Sequence, residues 1–296
     1  MKTLAAIPCH NEGLTIGSVV LKARKYVDLV LVIDDGSADD TVEVAESAGA
    51  VVVLHEKNTG YGAAVRSCFD YAKEYGFDVM TILDGDGQHD PSNIPDFIKA
   101  METSGADIVI GSRFLVKNKT IPKYRIVGMK VLNVFTRFVG NVETTDSQSG
   151  YRAYSRRAIE RIDITNPDMG AGSEILTQVG DHDLKVVEVP IDVRYDIENT
   201  SSKNPVSHGF GVLGWLISTI SEKRPLFFFG AVGIILTVIG LVFGANVLNI
   251  ANAGRGVAVG SALVSVLFII IGVFSMFTGL ILDAVGKWKE GREVNE

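Results

Sequence analysis

Two long uncharged segments near the carboxyl end constrain this chain more than any other feature. No charged residue or histidine occurs between Arg224 and Arg255, or between Arg255 and Asp283. Each segment exceeds the roughly 20 apolar residues that cross the hydrocarbon core of a bilayer. A buried hairpin of a soluble core is the less favoured alternative, because globular helices normally keep a polar face. We predict transmembrane helices near 226–249 and 257–282.

The charges that flank these segments predict their orientation. The turn between the two segments carries only Arg255, whereas the outer flanks carry Lys223, Arg224, Lys287, Lys289 and Arg292. Because positive charge is retained on the cytoplasmic side of a membrane, both ends of the hairpin are predicted to be cytoplasmic. The expectation is a two-span protein of the cell membrane, with the amino-terminal domain and both termini in the cytoplasm.

Residues 1–200 alternate short apolar segments with amphipathic ones. This alternation predicts an α/β fold with a parallel or mostly parallel sheet, whose ligand crevice lies outside the carboxyl ends of the strands. The formal net charge of −7 argues against a nucleic-acid partner. The predicted strands are TLAAIP, DLVLVID, AVVVLH, VMTILD and ADIVIGS, and the predicted helices are 15–26, 40–48, 61–76 and 92–103.

Acidic residues follow several of the predicted strands. Taken singly, each loop is a weak signal: DDGSADDT also suits a turn with a helix cap, and NTGYGAA also suits a tight turn. Together the loops bring five carboxylates to one edge of the sheet, which is unfavourable unless positive charge binds there. A divalent metal that carries phosphate oxygens supplies such charge. The five are Glu12, Asp34, Asp35, Asp84 and Asp86.

The order of four segments resembles a known family. PCHNEG, IDDGSADDT, LDGDGQHDP and DSQSGYRAY, followed by two spans, resemble the family 2 glycosyltransferases of GT-A fold. The chain is most similar to the polyprenyl-phosphate glycosyltransferases, the dolichyl-phosphate mannose synthase group. The resemblance covers essentially the whole chain. It implies a Rossmann-like GT-A catalytic domain at 1–200, a juxtamembrane segment at 201–225, a transmembrane hairpin at 226–283 and a cytoplasmic tail at 284–296.

The resemblance implies a donor site. Asp84, Asp86 and Gln88 match the DxD segment that binds Mg²⁺ or Mn²⁺ on the donor diphosphate in the family. His10 stands where the family usually has a tyrosine, so the identity of the base is left open. The residues implied to hold the nucleoside are Pro8, His10, Glu12 and Asp35, with Gly60 and Gly62 allowing close approach of the backbone.

The resemblance also implies an acceptor site. Met129 replaces an expected serine, and a solvated juxtamembrane loop is the alternative for the segment VRYDIENTSSKNP. Glu174 is expected in a loop that covers the donor. The implied catalytic residues are Asp86, Asp146 and Arg125. The implied ligands of the acceptor phosphate are Arg113, Arg125, Arg152, Arg194, Ser202 and Lys203, and Gly150 lies in the same motif as Asp146.

The implied activity is the inverting transfer of one hexose from a GDP- or UDP-linked sugar to a polyprenyl or dolichyl phosphate. The transferred sugar is left open among mannose, glucose and N-acetylglucosamine. The oligomeric state is also left open, and a homo-oligomer is one possibility. Two alternatives are a processive polysaccharide synthase and a non-catalytic nucleotide-sugar-binding membrane protein. A synthase normally carries a QxxRW-like motif, but the only tryptophan before the first span is Trp215, in GVLGWLIST. Turnover of the donor distinguishes an enzyme from a sensor.

Overall fold

The chain divides into two compact units, Met1–Leu216 and Ile217–Glu296. The predicted boundaries at residues 200, 225 and 283 remain predictions. The computed structural model describes residues 1–116, 142–167, 170–194, 224–253 and 258–293, with 133, 214, 217, 220, 221 and 256 as isolated positions and only the backbone of 287–293.

Within the described residues of the first unit, seven strands form one sheet in the order β3-β2-β1-β4-β6-β5-β7. All neighbouring strands are parallel except β6, which runs antiparallel to both β4 and β5. The five predicted strands are present, whereas β6 and β7 were not predicted. The strands are β1 Thr3–Cys9, β2 Leu29–Asp34, β3 Val51–Leu54, β4 Val79–Ile82, β5 Ile108–Ser112, β6 Arg152–Ser155 and β7 Val186–Pro190.

Helices cover both faces of this sheet. Alternate residues of β1 point to opposite faces, so that Leu4 packs with one apolar cluster and Ala5 with the other. Burial on both faces explains why the strands read as continuous apolar runs. The helices are α1 Ile16–Ala23, α2 Thr41–Ser47, α3 Tyr61–Glu74, α4 Ile94–Ser104, α5 Arg156–Arg161 and α6 Ala171–Gln178, with one 3₁₀ turn at Pro91–Asn93.

The direction of β6 decides which loops meet. Because β6 is antiparallel to β4 and β5, its amino end lies at the same edge as the carboxyl ends of the other strands. The segment DSQSGY, which leads into β6, therefore joins the loops that follow β1, β2, β4 and β5. This edge is where open α/β sheets form their ligand crevice.

The second unit is a pair of long helices, α7 Pro225–Asn252 and α8 Val259–Glu293. Glycines allow their backbones to approach closely: a Cβ on Gly233 would lie 2.5 Å from the carbonyl oxygen of Gly272. Only 11% and 17% of the most apolar windows of the two helices are buried. A core helix of a soluble protein would be mostly buried, so the two helices fit membrane spans by length, composition and exposure.

Candidate active site

Three carboxylates lie in the loops after β1 and β4. Thr15 Oγ1 donates to the carbonyl oxygen of Gly85 at 2.7 Å and so ties the two loops together. A Cβ on Gly85 would lie 3.0 Å from Cys9 Cβ, which shows how close the loops are. Burial, and then the charges of Asp86 and Asp84, raise the pKa of Glu12 to about 7. The loops therefore hold these carboxylates near enough to repel one another.

Burial also raises the pKa values of the two aspartates of the DxD segment. Burial raises the pKa of Asp84 to about 6, and the nearby positive charge of Arg113 opposes this rise. The pKa of Asp86 is raised by burial and then by the charge of Asp84, although the backbone N–H of Gln88 donates to its Oδ1 at 2.9 Å. Negative charge is therefore concentrated and incompletely compensated at this segment.

A histidine beside the aspartates does not neutralise them. His89 is buried, and its Nδ1 lies 3.5 Å from Asp84 Oδ2. Burial lowers the pKa of His89 to about 4, so its imidazole is neutral at pH 7. A backbone bridge between His89 and Val193 continues into a hydrogen bond from Arg194 N to Gln88 O at 3.0 Å. The backbone of Arg194 therefore lies beside the DxD loop, and its assignment to the acceptor phosphate stays a prediction.

The opposite side of the crevice contains a compensated carboxylate. The Arg113 guanidinium grips Asp146 with two hydrogen bonds, Nε to Oδ2 and Nη2 to Oδ1, both at 2.7 Å. The Arg113 backbone N–H also donates to Oδ2 at 3.2 Å. The Asp146 side chain is fully buried, whereas that of Arg113 is 20% exposed. Asp146 therefore holds an arginine in place, an arrangement that suits a general base poorly.

A glutamate that the sequence analysis did not select supports this pair. Glu188, on β7, accepts hydrogen bonds from Thr144 Oγ1 at 2.6 Å and from the backbone N–H groups of Thr145 at 2.8 Å and Asp146 at 3.2 Å. These bonds fix the loop before β6. The signal in the sequence was a single charged residue inside the apolar segment VVEVP.

The DSQSGYR motif reaches the DxD segment at Gly150, and its arginine binds the backbone. A Cβ on Gly150 would lie 2.9 Å from Asp84 Oδ2, so a larger residue there would displace the Asp84 carboxylate. Arg152 is 2% exposed and donates to the carbonyl oxygens of Ser149, Gly172 and Ser147 at 2.7–2.8 Å. A buried guanidinium needs such partners. The assignment of Arg152 to the acceptor phosphate therefore does not match its position, because it binds the backbone.

Asp35 is one of the residues that the resemblance implies for holding the nucleoside. Its carboxylate accepts hydrogen bonds from His55 Nδ1 and Thr59 Oγ1 at 2.7 Å, from Thr59 N at 2.9 Å and from Gly60 N at 2.8 Å. Burial alone would raise the pKa of Asp35, but these donors together lower it below its ordinary value. In this arrangement Asp35 organises the loop that contains Gly60, whose φ is +104°.

The remaining predicted residues divide into those near this edge and those outside the described residues. Pro8 is buried at the end of β1, exposed His10 has its Nδ1 3.0 Å from Asp35 O, and Gly62 is buried in the first turn of α3. Arg125, Ser202 and Lys203 lie outside the described residues and stay predictions.

The expectation for Glu174 was wrong, since it lies in helix α6 and not in a loop. It is buried, and its carboxylate accepts hydrogen bonds from the backbone N–H groups of Thr165 and Asn166 at 3.0 Å.

The sequence profile described as "Glycosyl transferase family 2" matches residues 5–163, more than half of the chain. The chain belongs to this family, and it is a glycosyltransferase.

Two curated relatives have informative names. The "Polyprenol monophosphomannose synthase" of Mycolicibacterium smegmatis is 33% identical over 204 residues, 64% of this chain and 76% of the relative. The "UDP-N-acetylglucosamine--dolichyl-phosphate N-acetylglucosaminyltransferase" of Methanococcus voltae is 29% identical over 230 residues, 70% of this chain and 91% of the relative.

A solved structure supports the predicted GT-A fold. Glucosyl-3-phosphoglycerate synthase from Mycobacterium tuberculosis, in complex with Mn²⁺, uridine diphosphate and glucosyl-3-phosphoglycerate, superposes with a TM-score of 0.58 at 21% identity. The match covers 74% of this chain and 79% of that one. At this identity the similarity concerns the fold alone.

Proposed function

We propose that this glycosyltransferase moves one hexose, with inversion, from a nucleotide sugar to a polyprenyl phosphate at the cytoplasmic leaflet of a membrane. The observation that carries the proposal is that a group of carboxylates and an arginine lie near each other at the carboxyl edge of the sheet. Glu12, Asp84 and Asp86 form an undercompensated anionic side, and Arg113 faces them closely enough to lower the pKa of Asp84. The names of the two curated relatives support both the donor and the lipid acceptor.

The anionic side suits a divalent cation shared with the donor. Among the described residues, no group of three or more histidine, cysteine, aspartate or glutamate side chains is arranged to hold a metal alone. Mg²⁺ is commonly held by one or two carboxylates together with water and substrate phosphates, and the hard oxygens of Asp84, Asp86 and Gln88 fit that requirement. When bound, Mg²⁺ or Mn²⁺ supplies stabilisation of the charge on the leaving nucleoside diphosphate.

The cationic side suits an acceptor that needs no general base. A phosphate monoester, with a second pKa of about 6, is largely dianionic at neutral pH and is already a nucleophile. Asp146 is the carboxylate that would act as a general base if one were needed, but Arg113 donates a hydrogen bond to each of its oxygens. Arg113 would position the acceptor phosphate, together with Arg194 and with the predicted ligands Arg125, Ser202 and Lys203.

The two apolar helices supply the remaining support. They would hold the enzyme at the bilayer in which a polyprenyl phosphate resides, and the flanking charges favour a cytoplasmic catalytic domain. Mannose, glucose and N-acetylglucosamine are all covered by the proposal.

The experiment incubates membranes that contain the protein with labelled GDP-mannose, UDP-glucose and UDP-N-acetylglucosamine, with and without added polyprenyl phosphate. We expect one donor to label a lipid that is formed only when the acceptor is present. Mild acid should release the free sugar from that lipid, because a glycosyl phosphate is acid-labile. The proposal would be contradicted by an acid-stable glycoside, or by a labelled polymer made without lipid phosphate. Donor binding without turnover would support a sensor instead.

A further inference from the structure

His55 forms a junction of three segments at the carboxyl edge of the sheet. Its imidazole is 16% exposed, with Nδ1 2.7 Å from Asp35 Oδ1 and Nε2 2.9 Å from Ser67 Oγ on helix α3. An ionised carboxylate only accepts, so Nδ1 carries a proton and donates it to Asp35. In the neutral imidazole Nε2 then accepts from the Ser67 hydroxyl. His55 therefore links the end of β3 to the loop after β2 and to α3.

Asp35 extends this junction to the loop before α3. The oxygen that His55 contacts also accepts from Thr59 N and Thr59 Oγ1, and the second oxygen accepts from Gly60 N. One carboxylate therefore sets the course of the backbone at Thr59 and Gly60. Since a carboxylate can rotate about its bonds, its orientation depends on its fixed side-chain donor. Thr59 Oγ1 also donates, but it belongs to the loop that Asp35 orients, whereas His55 donates from outside that loop and is itself held by Ser67.

The junction also reaches the loop after β1. Asp35 N donates to Cys9 O at 2.9 Å, and His10 Nδ1 lies 3.0 Å from Asp35 O. Asp35 therefore makes hydrogen bonds with each of the loops after β1 and β3 from its own place in the loop after β2. These are the loops that the family resemblance assigns to the nucleoside of the donor.

We propose that His55 is a positioning residue for the donor nucleotide, acting through Asp35 on the loop at Thr59 and Gly60. This inference rests on the proposed function, because it assumes that the crevice takes a nucleoside diphosphate. Both Asp35 oxygens already accept hydrogen bonds from the protein. The role inferred for His55 is therefore to hold Asp35 and the loop at Thr59 and Gly60 in position, and not to contact the nucleotide.

Two substitutions at this position separate the contacts of Nδ1, which faces Asp35 and lies 3.0 Å from Thr59 Oγ1, from the contact of Nε2 with Ser67. The side-chain amide of His55→Asn places a donor near the position of Nδ1 and retains the bond to Asp35. The longer side chain of His55→Gln reaches toward the position of Nε2 and gives up the bond to Asp35. Ser67→Ala removes only the outer bond. His182→Gln is a matched control, because His182 lies in the turn before β7, at the opposite edge of the sheet.

The measurement is titration of the full-length protein in detergent with UDP and with GDP, in the presence of Mn²⁺. For the nucleotide that the wild type binds, we expect His55→Gln to raise Kd by about 10-fold or more, as for other residues that orient a ligand-binding group. His55→Asn should restore most of the affinity, and Ser67→Ala should have an intermediate effect. The KM for polyprenyl phosphate should stay at the wild-type value in all three variants, as should the Kd in His182→Gln.

Several outcomes would overturn the inference. One is a His55→Gln protein that is folded, by its thermal transition, and binds the nucleotide as the wild type does. Equal losses in nucleotide Kd and lipid KM, or an Asn variant as impaired as the Gln variant, would show a general structural role. Failure of the proposed function has a different signature. A wild type that binds nucleotide but glycosylates no lipid phosphate refutes the transfer, while the comparison of variants still decides the role of His55. A wild type that binds neither nucleotide overturns both.

Discussion

The loops after β1 and β4 and the loop before β6 meet at one edge of the sheet. The carboxylates of the first two loops lack enough donors to balance their charge, whereas those at the loop before β6 have such donors. In the first region, burial raises the pKa values of Glu12, Asp84 and Asp86, and the charges of neighbouring carboxylates raise those of Glu12 and Asp86 further. In the second region, Asp146 is fully buried but is held by two hydrogen bonds from Arg113. Glu188 likewise receives several donors from the same loop.

This difference separates groups that await a ligand from groups that support one. A buried carboxylate with enough donors contributes to a rigid structure, and its charge is already balanced. Neighbouring carboxylates without that balance are unfavourable in the unliganded protein, and a cation relieves the repulsion between them. By its hydrogen bonds Asp35 belongs with the supporting group, and the donor-binding role that the resemblance implies for it stays a prediction. The contrast can be tested from either side.

The largest expected effect is on the undercompensated side. Asp86→Asn should reduce transfer by about 100-fold or more and weaken donor binding in Mg²⁺ or Mn²⁺, because it removes an anionic oxygen from the site where charge develops. Asp39→Asn is the matched control. The Asp39 carboxylate accepts hydrogen bonds from Gly13 N and Thr41 N, so it belongs to the carboxylates that the protein itself balances. Unchanged metal dependence in Asp86→Asn would show that this carboxylate is not a ligand.

The next effect tests the compensated pair. Asp146→Asn should keep measurable turnover, within about 10-fold of the wild type, whereas loss of a general base costs 10²- to 10⁴-fold. Arg125→Ala, by contrast, should raise the KM for the lipid or stop the reaction, because it removes a predicted ligand of the acceptor phosphate. Steady-state kinetics with the acceptor varied would decide. A loss of 10⁴-fold or so in Asp146→Asn would identify Asp146 as the base after all.

Removing the other member of the pair should affect stability. Arg113→Ala leaves Asp146 buried without its guanidinium partner, and such losses destabilise proteins by about 3–5 kcal/mol. Arg157→Ala is a control, because its ion pair with Asp107 is more exposed. Denaturant or thermal unfolding in detergent measures both. Equal stability losses in the two variants would remove the distinction between supporting and surface pairs.

The pH dependence of stability should have opposite signs in the two groups. The pKa of Glu12 is raised from 4.5 to about 7 and that of Asp84 from 3.8 to about 6. Their contribution to stability is therefore present below pH 3.8–4.5 and is lost as the pH rises through 6 to 7. Asp35, whose pKa is lowered, contributes stability above its ordinary pKa that is lost as the pH falls below it.

Thermal unfolding in detergent with a chelator present, between pH 4 and 8, measures the first of these effects. The midpoint of the metal-free protein should fall as the pH rises, and Glu12→Gln should reduce that fall. Mn²⁺ together with the bound nucleotide should oppose it. A metal-free midpoint that does not change across this range would argue against raised pKa values in Glu12 and Asp84.

The smallest expected effect is on folding after truncation. A chain that ends at Glu222 should keep a cooperative thermal transition, because the two apolar clusters of the first unit are built from residues between Leu4 and Val193. Circular dichroism during heating checks this. An unfolded product would mean that the apolar helices belong to the core.

The sequence predicted the fold well where elements are long and regular. The apolar strands and the helices at 61–76 and 92–103 correspond closely to α3, Tyr61–Glu74, and to α4, Ile94–Ser104. Strands β6 and β7 were missed because RAYS and VVEVP are short and contain charged residues. The buried arginine and the half-buried glutamate in these strands are balanced by partners outside the strands, and a local pattern does not contain that information.

By itself, the sequence determined the α/β alternation, the two apolar spans and the family motifs, because apolar periodicity and segment composition are local properties. Only the tertiary structure decided which acidic residues are balanced. The antiparallel direction of β6 brought Asp146 to Arg113 and Gly150 to Asp84, and the turn after β3 brought His55 to Asp35. The physical reason is that a carboxylate's pKa depends on the burial and the donors around it in space, which the chain sets only when it folds.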